Sequence, residues 1–339
     1  MKAKNILKEL IKFNTVNDKE NQSIMNYIEK LLQNKGFKTE YKSKCLIMSI
    51  KDKYNLGFLG HTDTVMAGSD WGINPYEMKE DKEKLYGLGI CDMKGGIAGI
   101  LQAIIETDWE KLKYGMKLYF TYDEEINFLG IKEIIEKKEK FPKNMIIGEP
   151  SNNIIMNSSK GLLEFKIAFT GISAHSSMIN KGENAIEKSI EFLNELKSFY
   201  NELKKDKNDN FEIGYTTMNI GKIEGGKSIN IVPSSCEVFI DFRLIKSEHK
   251  KLILNKISEL TRKYNATYTI INSISPFANK NEKMNPTNFI TEASFIDAEN
   301  KYILGVGPIN AHKANEYITT ASLEKIIMQY KYMIYKFCS

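Results

Sequence analysis

Along roughly the first 160 residues, apolar positions recur with two alternating periods. From Met1 to Asn14 and from Ile24 to Lys35 they return every three or four residues, the spacing of an amphipathic helix. Tyr54 to Gly60 is instead a short apolar run closed by glycine, as a buried strand would be. The alternation continues with a helix over Gly95 to Thr107, a strand over Met116 to Tyr122, a helix over Ile126 to Lys138 and a strand over Met145 to Gly148. Strands and helices in turn predict an α/β fold: a mixed, largely parallel open sheet with helices on both faces.

A different grammar follows. Leu163 to Thr170 reads as a strand, Glu183 to Leu203 as a long helix, and Tyr215 to Ile223 and Cys236 to Leu244 as two strands. A helix from Glu248 to Tyr264 and a strand from Thr267 to Ile271 complete a β-α-β-β-α-β order, the ferredoxin-like α+β pattern. From about Asn279 the first pattern returns, closing in the helix Ser322 to Tyr335. The simplest organisation is a discontinuous catalytic domain, residues 1–160 and 276–339, interrupted by an inserted domain at 161–275.

Composition narrows the partners. A net charge of +5, from 48 basic and 43 acidic residues, is spread along the chain without basic runs interleaved with aromatics, so no nucleic acid is expected. No apolar run approaches the roughly 20 residues that span a bilayer, and the first helix lacks the core of a signal peptide. Cys45, Cys91, Cys236 and Cys338 are scattered without CxxC spacing, which argues against a disulfide framework or a thiolate metal site. A cytoplasmic protein without a membrane partner is the expectation.

The chemistry gathers at strand ends. His61 follows the run Tyr54 to Gly60, Glu124 and Glu125 follow the strand at 116–122, and Glu149 follows the strand at 145–147. His312 follows an expected strand Tyr302 to Val306, and Asp92 sits just before the helix from Gly95. In open α/β sheets ligands bind outside the carboxyl ends of the strands. Each residue alone has a plainer explanation: an acid at a helix start, a structural histidine, or turn glycines. Together they form a set of imidazoles and carboxylates without thiolate, which suits Zn²⁺, Co²⁺ or Mn²⁺. Two divalent metals about 3.5–4 Å apart need a bridging carboxylate. The assignment is Asp92 as bridge, His61 and Glu149 on one metal, and Glu125 and His312 on the other. Glu124 is left over as the general base, and Asp63 is placed to take the free ring N–H of His61.

At these residues the sequence resembles the M20 family of metallopeptidases and deacylases. The resemblance rests on His61-Thr62-Asp63-Thr64-Val65, Leu85-Tyr86-Gly87-Leu88-Gly89 with Asp92-Met93-Lys94-Gly95, Asp123-Glu124-Glu125, Gly148-Glu149-Pro150, and Ala311-His312-Lys313-Ala314-Asn315-Glu316-Tyr317. It implies the same metal and base roles, and an inserted domain that acts as a lid and forms a homodimer. It also implies that His175, in Ser173-Ala174-His175-Ser176-Ser177, reaches across the dimer to polarise the scissile carbonyl. Asn230 and Arg243 match the family's contacts to a substrate carboxylate, whereas His249 matches no motif and is expected to be exposed.

Three further stretches, Lys181 to Ile186, Asn219 to Gly226 and Thr291 to Ile296, look like the branch of the family that deacetylates N2-acetylornithine. Met66 departs from that pattern where a proline is common, and the loop before His312 is shorter. The expected activity is hydrolysis of an N-acyl amino acid. Desuccinylation of succinyl-diaminopimelate, aminoacylase or dipeptidase activity, and non-catalytic metal binding are the alternatives. Glu292, in the third stretch, is expected to face the crevice, where its charge would attract an ornithine ammonium and repel a succinyl carboxylate.

Overall fold

In the computed structural model, which describes residues 2–280, 282–287 and 289–339, the chain forms two units. The first comprises Met1–Asn157, Asn279–Asn285 and Thr291–Ser339. Its six-stranded sheet runs, in spatial order, Lys38–Lys42, Cys45–Ile50, Gly115–Thr121, Tyr54–His61, Asn144–Ile147 and Asn300–Ile303. The last four strands are parallel; the first two join antiparallel at one edge. Phe58, Leu118, Phe120 and Ile146 pack with Leu7 and Leu10 of helix Ala3–Lys12, Ile97 and Ile104 of helix Gly95–Glu106, and Tyr330 of helix Thr320–Cys338. Leu59, Tyr119, Met145 and Ile147 are equally buried, so the central strands have no wet face and read as continuous apolar runs. Burying one such side chain contributes about 1.5–3 kcal/mol.

The helix expected from Ile126 begins only at Leu129. Asp123 and Phe128 adopt φ of 57° and 56°, and the amides of Asn127 and Phe128 both donate to the Asp123 carbonyl. This closes a short loop that carries Glu124 and Glu125 instead of a first helical turn. The edge strand Lys38–Lys42, largely exposed and polar, lies outside the expected elements, and so does the buried strand Cys45–Ile50 beside it, although it is an apolar run.

The second unit, Ser158–Ala278 with Pro286–Ile290, has a four-stranded antiparallel sheet. Its order is Thr217–Gly225, Ser235–Leu244, Gly161–Thr170, Ala266–Ile274. Here the period is two. Leu163, Phe165, Ile167 and Phe169 alternate inward, as do Cys236, Val238, Ile240 and Phe242, against helices Ala185–Leu203 and Glu248–Lys263. The helix at Ala185 starts on an Asn184 side-chain cap that accepts from the amides of Ile186 and Glu187. His249 corrects the expectation: it is 1% exposed, not on the surface. Its Nδ1 lies 2.7 Å from Thr216 Oγ1 and its Nε2 lies 3.1 Å from Asp206 Oδ2, so the ring pins helix Glu248–Lys263 to the two loops bearing those residues.

Among the described residues no helix is long and apolar enough to cross a membrane, and the four cysteines are free and buried.

Candidate metal centre

The strand Tyr54–His61 is in parallel register with Gly115–Thr121, pairing His61 with Thr121, and the Thr62 amide extends the ladder to the Thr121 carbonyl. His61 and the loop holding Glu124 and Glu125 therefore leave the sheet side by side. Glu149 leaves the neighbouring strand, where the Gly148 amide donates to Leu59. Asp92 arrives on the turn before helix Gly95–Glu106. A Cβ on Gly96 would lie 2.3 Å from the Gly148 carbonyl oxygen, so only glycine lets that helix start approach the strand bearing Glu149. His312 stands on a loop in the left-handed region, at φ 62°. Asn310 closes the base of that loop, donating to the Pro308 and Tyr317 carbonyls and accepting from the Tyr317 amide.

These side chains converge. His61 Nε2 is 3.2 Å from Asp92 Oδ1, 3.7 Å from Glu149 Oε1 and 3.9 Å from Glu124 Oε2. His312 Nε2 is 3.5 Å from the other Asp92 oxygen and 3.0 Å from Glu125 Oε2. Donor atoms of His61, Asp92 and Glu125, and of His61, Glu124 and Glu149, lie within 4.8 Å of one another. The Asp63 main-chain oxygen is 3.1 Å from His61 Nδ1 and its carboxylate 3.5 Å away, while that carboxylate also accepts from the Glu125 amide. One aspartate thus braces both His61 and the Glu125 loop.

The electrostatics ask for a cation. Burial, with the neighbouring Asp92 charge, pushes Glu149 well above the usual carboxylate range; burial, with Glu292, Asp92 and Glu125, does the same to Glu124. Burial opposes charge on His61 and Asp92 as well. Hydrogen bonds that the His61 ring donates to Asp63 and Asp92 overcome it and raise His61, and those donated by His312 and His61 lower Asp92. His312, hydrogen-bonded to Asp92 and Glu125, rises to about 10. Glu149 Oε1 is buried and finds no hydrogen-bond partner among the described residues. So many carboxylates in one largely buried cluster cannot all ionise beside one another, and divalent cations are the counter-charge that this donor set fits.

Three expected contributors, His175, Asn230 and Arg243, belong to the second unit. An isolated bridge pairs His175 with Ile231, and the Ser176 amide donates to the Asn230 carbonyl, so His175 and Asn230 are neighbours on an exposed rim. Arg243 is elsewhere. It pairs with Leu162, whereas Ser235 at the other end of the same strand pairs with Thr170, the residue that leads towards His175. Eight residues of strand put roughly 26 Å between Ser235 and Arg243. One copy therefore does not bring Asn230 and Arg243 together. Arg243 also holds Asp241 through Nε and Nη2, each at 3.0 Å.

Glu292 departs from its expected setting. It lies on the turn Glu292–Ser294 with no solvent exposure, and burial, opposed by His61 and Thr121, pushes its pKa up to about 7. A surface charge on a crevice wall is not what the fold makes of it. Conversely, spacing assigns nothing to Glu316, which is 2% exposed and accepts hydrogen bonds from the amides of Gly89, Cys91 and Asp92. Its signal is its place in the stretch Ala311 to Tyr317, four residues after His312.

Histidines and carboxylates grouped at the carboxyl ends of parallel strands define a metal-dependent hydrolase. Comparison with known proteins narrows the class. Residues 157–269 match the family model described as a peptidase dimerisation domain. The acetylornithine deacetylase of Proteus mirabilis (strain HI4320) is 30% identical, over 95% of this chain and 91% of that protein. Aminopeptidase PepT of Bacillus cereus superimposes with a TM-score of 0.79 at 18% identity, covering 99% of this chain and 97% of that one. The YXEP protein of Bacillus subtilis, a dinuclear metal-binding peptidase from the M20 family, does so at 0.72 and 12%, covering 99% and 98%. The chain belongs to the M20 family, as a metal-dependent amidohydrolase.

Proposed function

We propose that this amidohydrolase binds two metals and removes the acetyl group of N2-acetylornithine, releasing ornithine and acetate. The carrying observation is the split of Asp92, one oxygen towards His61 and the other towards His312. A carboxylate facing two imidazoles in this way is suited to bridging. His61 and Glu149 complete one position, Glu125 and His312 the other, and Zn²⁺ fits these donors best, with Co²⁺ or Mn²⁺ compatible. The cations supply a Lewis acid and lower the pKa of water towards neutrality.

The protein residues do the rest. Glu124, buried and raised in pKa, takes the proton of the attacking water and passes it to the leaving amine. Asp63 fixes the tautomer and orientation of His61. Arg243 offers its remaining N–H groups to the α-carboxylate. Since Arg243 stands at the opposite end of its sheet from His175 and Asn230, the site is best completed by a homodimer in which the partner's lid supplies those two residues. There the imidazole polarises the carbonyl and the amide holds the carboxylate. The match to a peptidase dimerisation domain supports that arrangement, and the acetylornithine deacetylases matched over nearly their full length support the substrate.

The test is amine release from N2-acetylornithine, N-succinyl-diaminopimelate, N-acetylmethionine and several dipeptides, with Zn²⁺, Co²⁺ and Mn²⁺ in turn. N2-acetylornithine should have the highest kcat/KM. A higher value on the succinylated substrate or on a dipeptide rejects the substrate assignment and leaves the metal chemistry standing.

A further inference from the structure

The turn that carries Asp92 is closed on its own backbone at its ends, where the Ile90 amide donates to Gly87 and the Lys94 amide to Gly89. Asp92 itself is extended, at φ −121° and ψ 96°, and the amides of Cys91 and Asp92 find their acceptor outside the turn. A side chain from a distant segment takes them up. Glu316 Oε1 accepts from the amides of Cys91 at 2.5 Å and Asp92 at 3.1 Å, and its Oε2 accepts from that of Gly89 at 3.1 Å. Its main-chain carbonyl accepts from Gly87, and the next residue, Tyr317, begins the strand paired with Tyr86. Both carboxylate oxygens are thus occupied by N–H donors, and charge-assisted bonds of this kind are stronger than neutral ones. Glu316 is built to hold backbone, not to ligate.

What it holds matters because of what lies at either end. Glu316 sits four residues after His312, on the loop that Asn310 closes at its base. The Asn315 side chain ties the same loop to Gly72. Rotating the peptides at Cys91 and Asp92 would swing the Asp92 carboxylate, and a misplacement of about 1 Å is enough to spoil such a site. The same carboxylate therefore sets the separation of Asp92 from His312.

We propose that Glu316 is the positioning residue for the second cation: by clamping the Gly89–Asp92 turn to the His312 loop, it fixes Asp92 in register with His312 before any cation binds. The inference rests on the assignment of Asp92, Glu125 and His312 to one cation. Glu316→Gln keeps an acceptor for Cys91 and Asp92 but turns an amide N–H₂ on the Gly89 N–H, opening the clamp at one end.

The experiment is a Co²⁺ titration of the cation-free protein, followed by visible absorption and by bound metal per chain. The unaltered protein should take two equivalents. Glu316→Gln should take the first with unchanged affinity and the second at least tenfold more weakly. Two unchanged equivalents in the variant overturn the inference alone, as does an equal weakening of both, which marks a general structural role. Fewer than two equivalents in the unaltered protein overturn the two-cation reading and this inference with it. Hydrogen exchange on the unaltered, cation-free protein needs no folded variant: the Cys91 and Asp92 amides should exchange slowly. Protection that appears only after Co²⁺ is added means that the cation, not Glu316, orders the turn, and overturns the inference.

Discussion

The two units hold their chemistry in opposite ways. In the first, His61, Glu124 and Glu149 are buried, and Asp63 and Glu316 brace the backbone and rings around them. In the second, His175 and Asn230 stand exposed, each held by a local contact: His175 Nδ1 to Ser177 Oγ at 2.8 Å, and Asn230 Oδ1 accepting from Ser228. Close by on the same rim, Ile179 and Ile229 are exposed at 70% and 104%. The lesson is that one set is preorganised for a small ion that binds within a single unit. The other is an exposed surface, and on the proposed reading it acts only on what docks there.

The sharpest break between the two comes from metal removal. Dialysis against a strong chelator should abolish hydrolysis, and Zn²⁺ or Co²⁺ should restore it; full turnover by protein shown by elemental analysis to be metal-free would end the mechanism. Next in size is Glu124→Gln, for which a loss of about 10²–10⁴ in kcat is expected with metal content unchanged. Glu125→Gln should instead lower bound metal. The opposite pattern exchanges the two roles, which the geometry makes a real test, since Glu124 Oε2 stands only 3.9 Å from His61 Nε2.

His175→Ala should cost about 10²–10³ in kcat, the scale of a lost oxyanion donor. Refolding it together with Glu124→Gln, itself inactive, should restore about a quarter of the wild-type sites if His175 acts across a dimer. No recovery on mixing would place the histidine in its own subunit's site.

Smaller effects probe each unit alone. His249→Ala removes the pin between Thr216 and Asp206 and should lower stability by about 1–3 kcal/mol in urea unfolding, without changing metal content. The smallest effect is expected of Glu292→Gln. Because that carboxylate is fully buried, kcat/KM on N2-acetylornithine and on N-acetylmethionine should change alike; a selective loss on the cationic substrate would restore it as a specificity charge.

The same division explains which features are legible in the amino-acid sequence. Apolar runs such as Leu56–Leu59 and inward alternation such as Leu163, Phe165, Ile167 and Phe169 exist because burial demands them, so these strands and the residues at their ends can be read directly, whereas the short apolar run Cys45–Ile50 lies outside the expected strands. Hydrophobic period is silent where burial is achieved by hydrogen bonding. His249, in Ser247-Glu248-His249-Lys250, reads as a surface residue and is buried only because two polar partners meet it. Glu316 is likewise buried by its hydrogen bonds to the amides of Gly89, Cys91 and Asp92, while the complete burial of Glu292, expected to face the crevice, follows from no local pattern. The edge strand Lys38–Lys42 lacks an apolar face and carries no signal. Arg243 and Asn230 are legible as residue types, but their separation follows from the register of Ser235–Leu244 against Gly161–Thr170, which no local pattern carries.

The first unit is discontinuous in sequence, and a ribosome meets its parts in order. On the proposed assignment His61, Asp92, Glu124 and Glu149 all emerge before the inserted domain begins at Ser158, while His312 lies beyond it. At about 5–20 residues per second, the stretch from Glu149 to His312 takes on the order of 10–30 s to make. Throughout that interval the nascent chain carries His61, Asp92, Glu124 and Glu149 but lacks His312, Glu316, the strand Asn300–Ile303 and the helix Thr320–Cys338. Because Leu304 and Tyr330 pack in one core with Phe58 and Ile146, the sheet that carries His61 and Glu149 is completed only once the inserted domain has been synthesised.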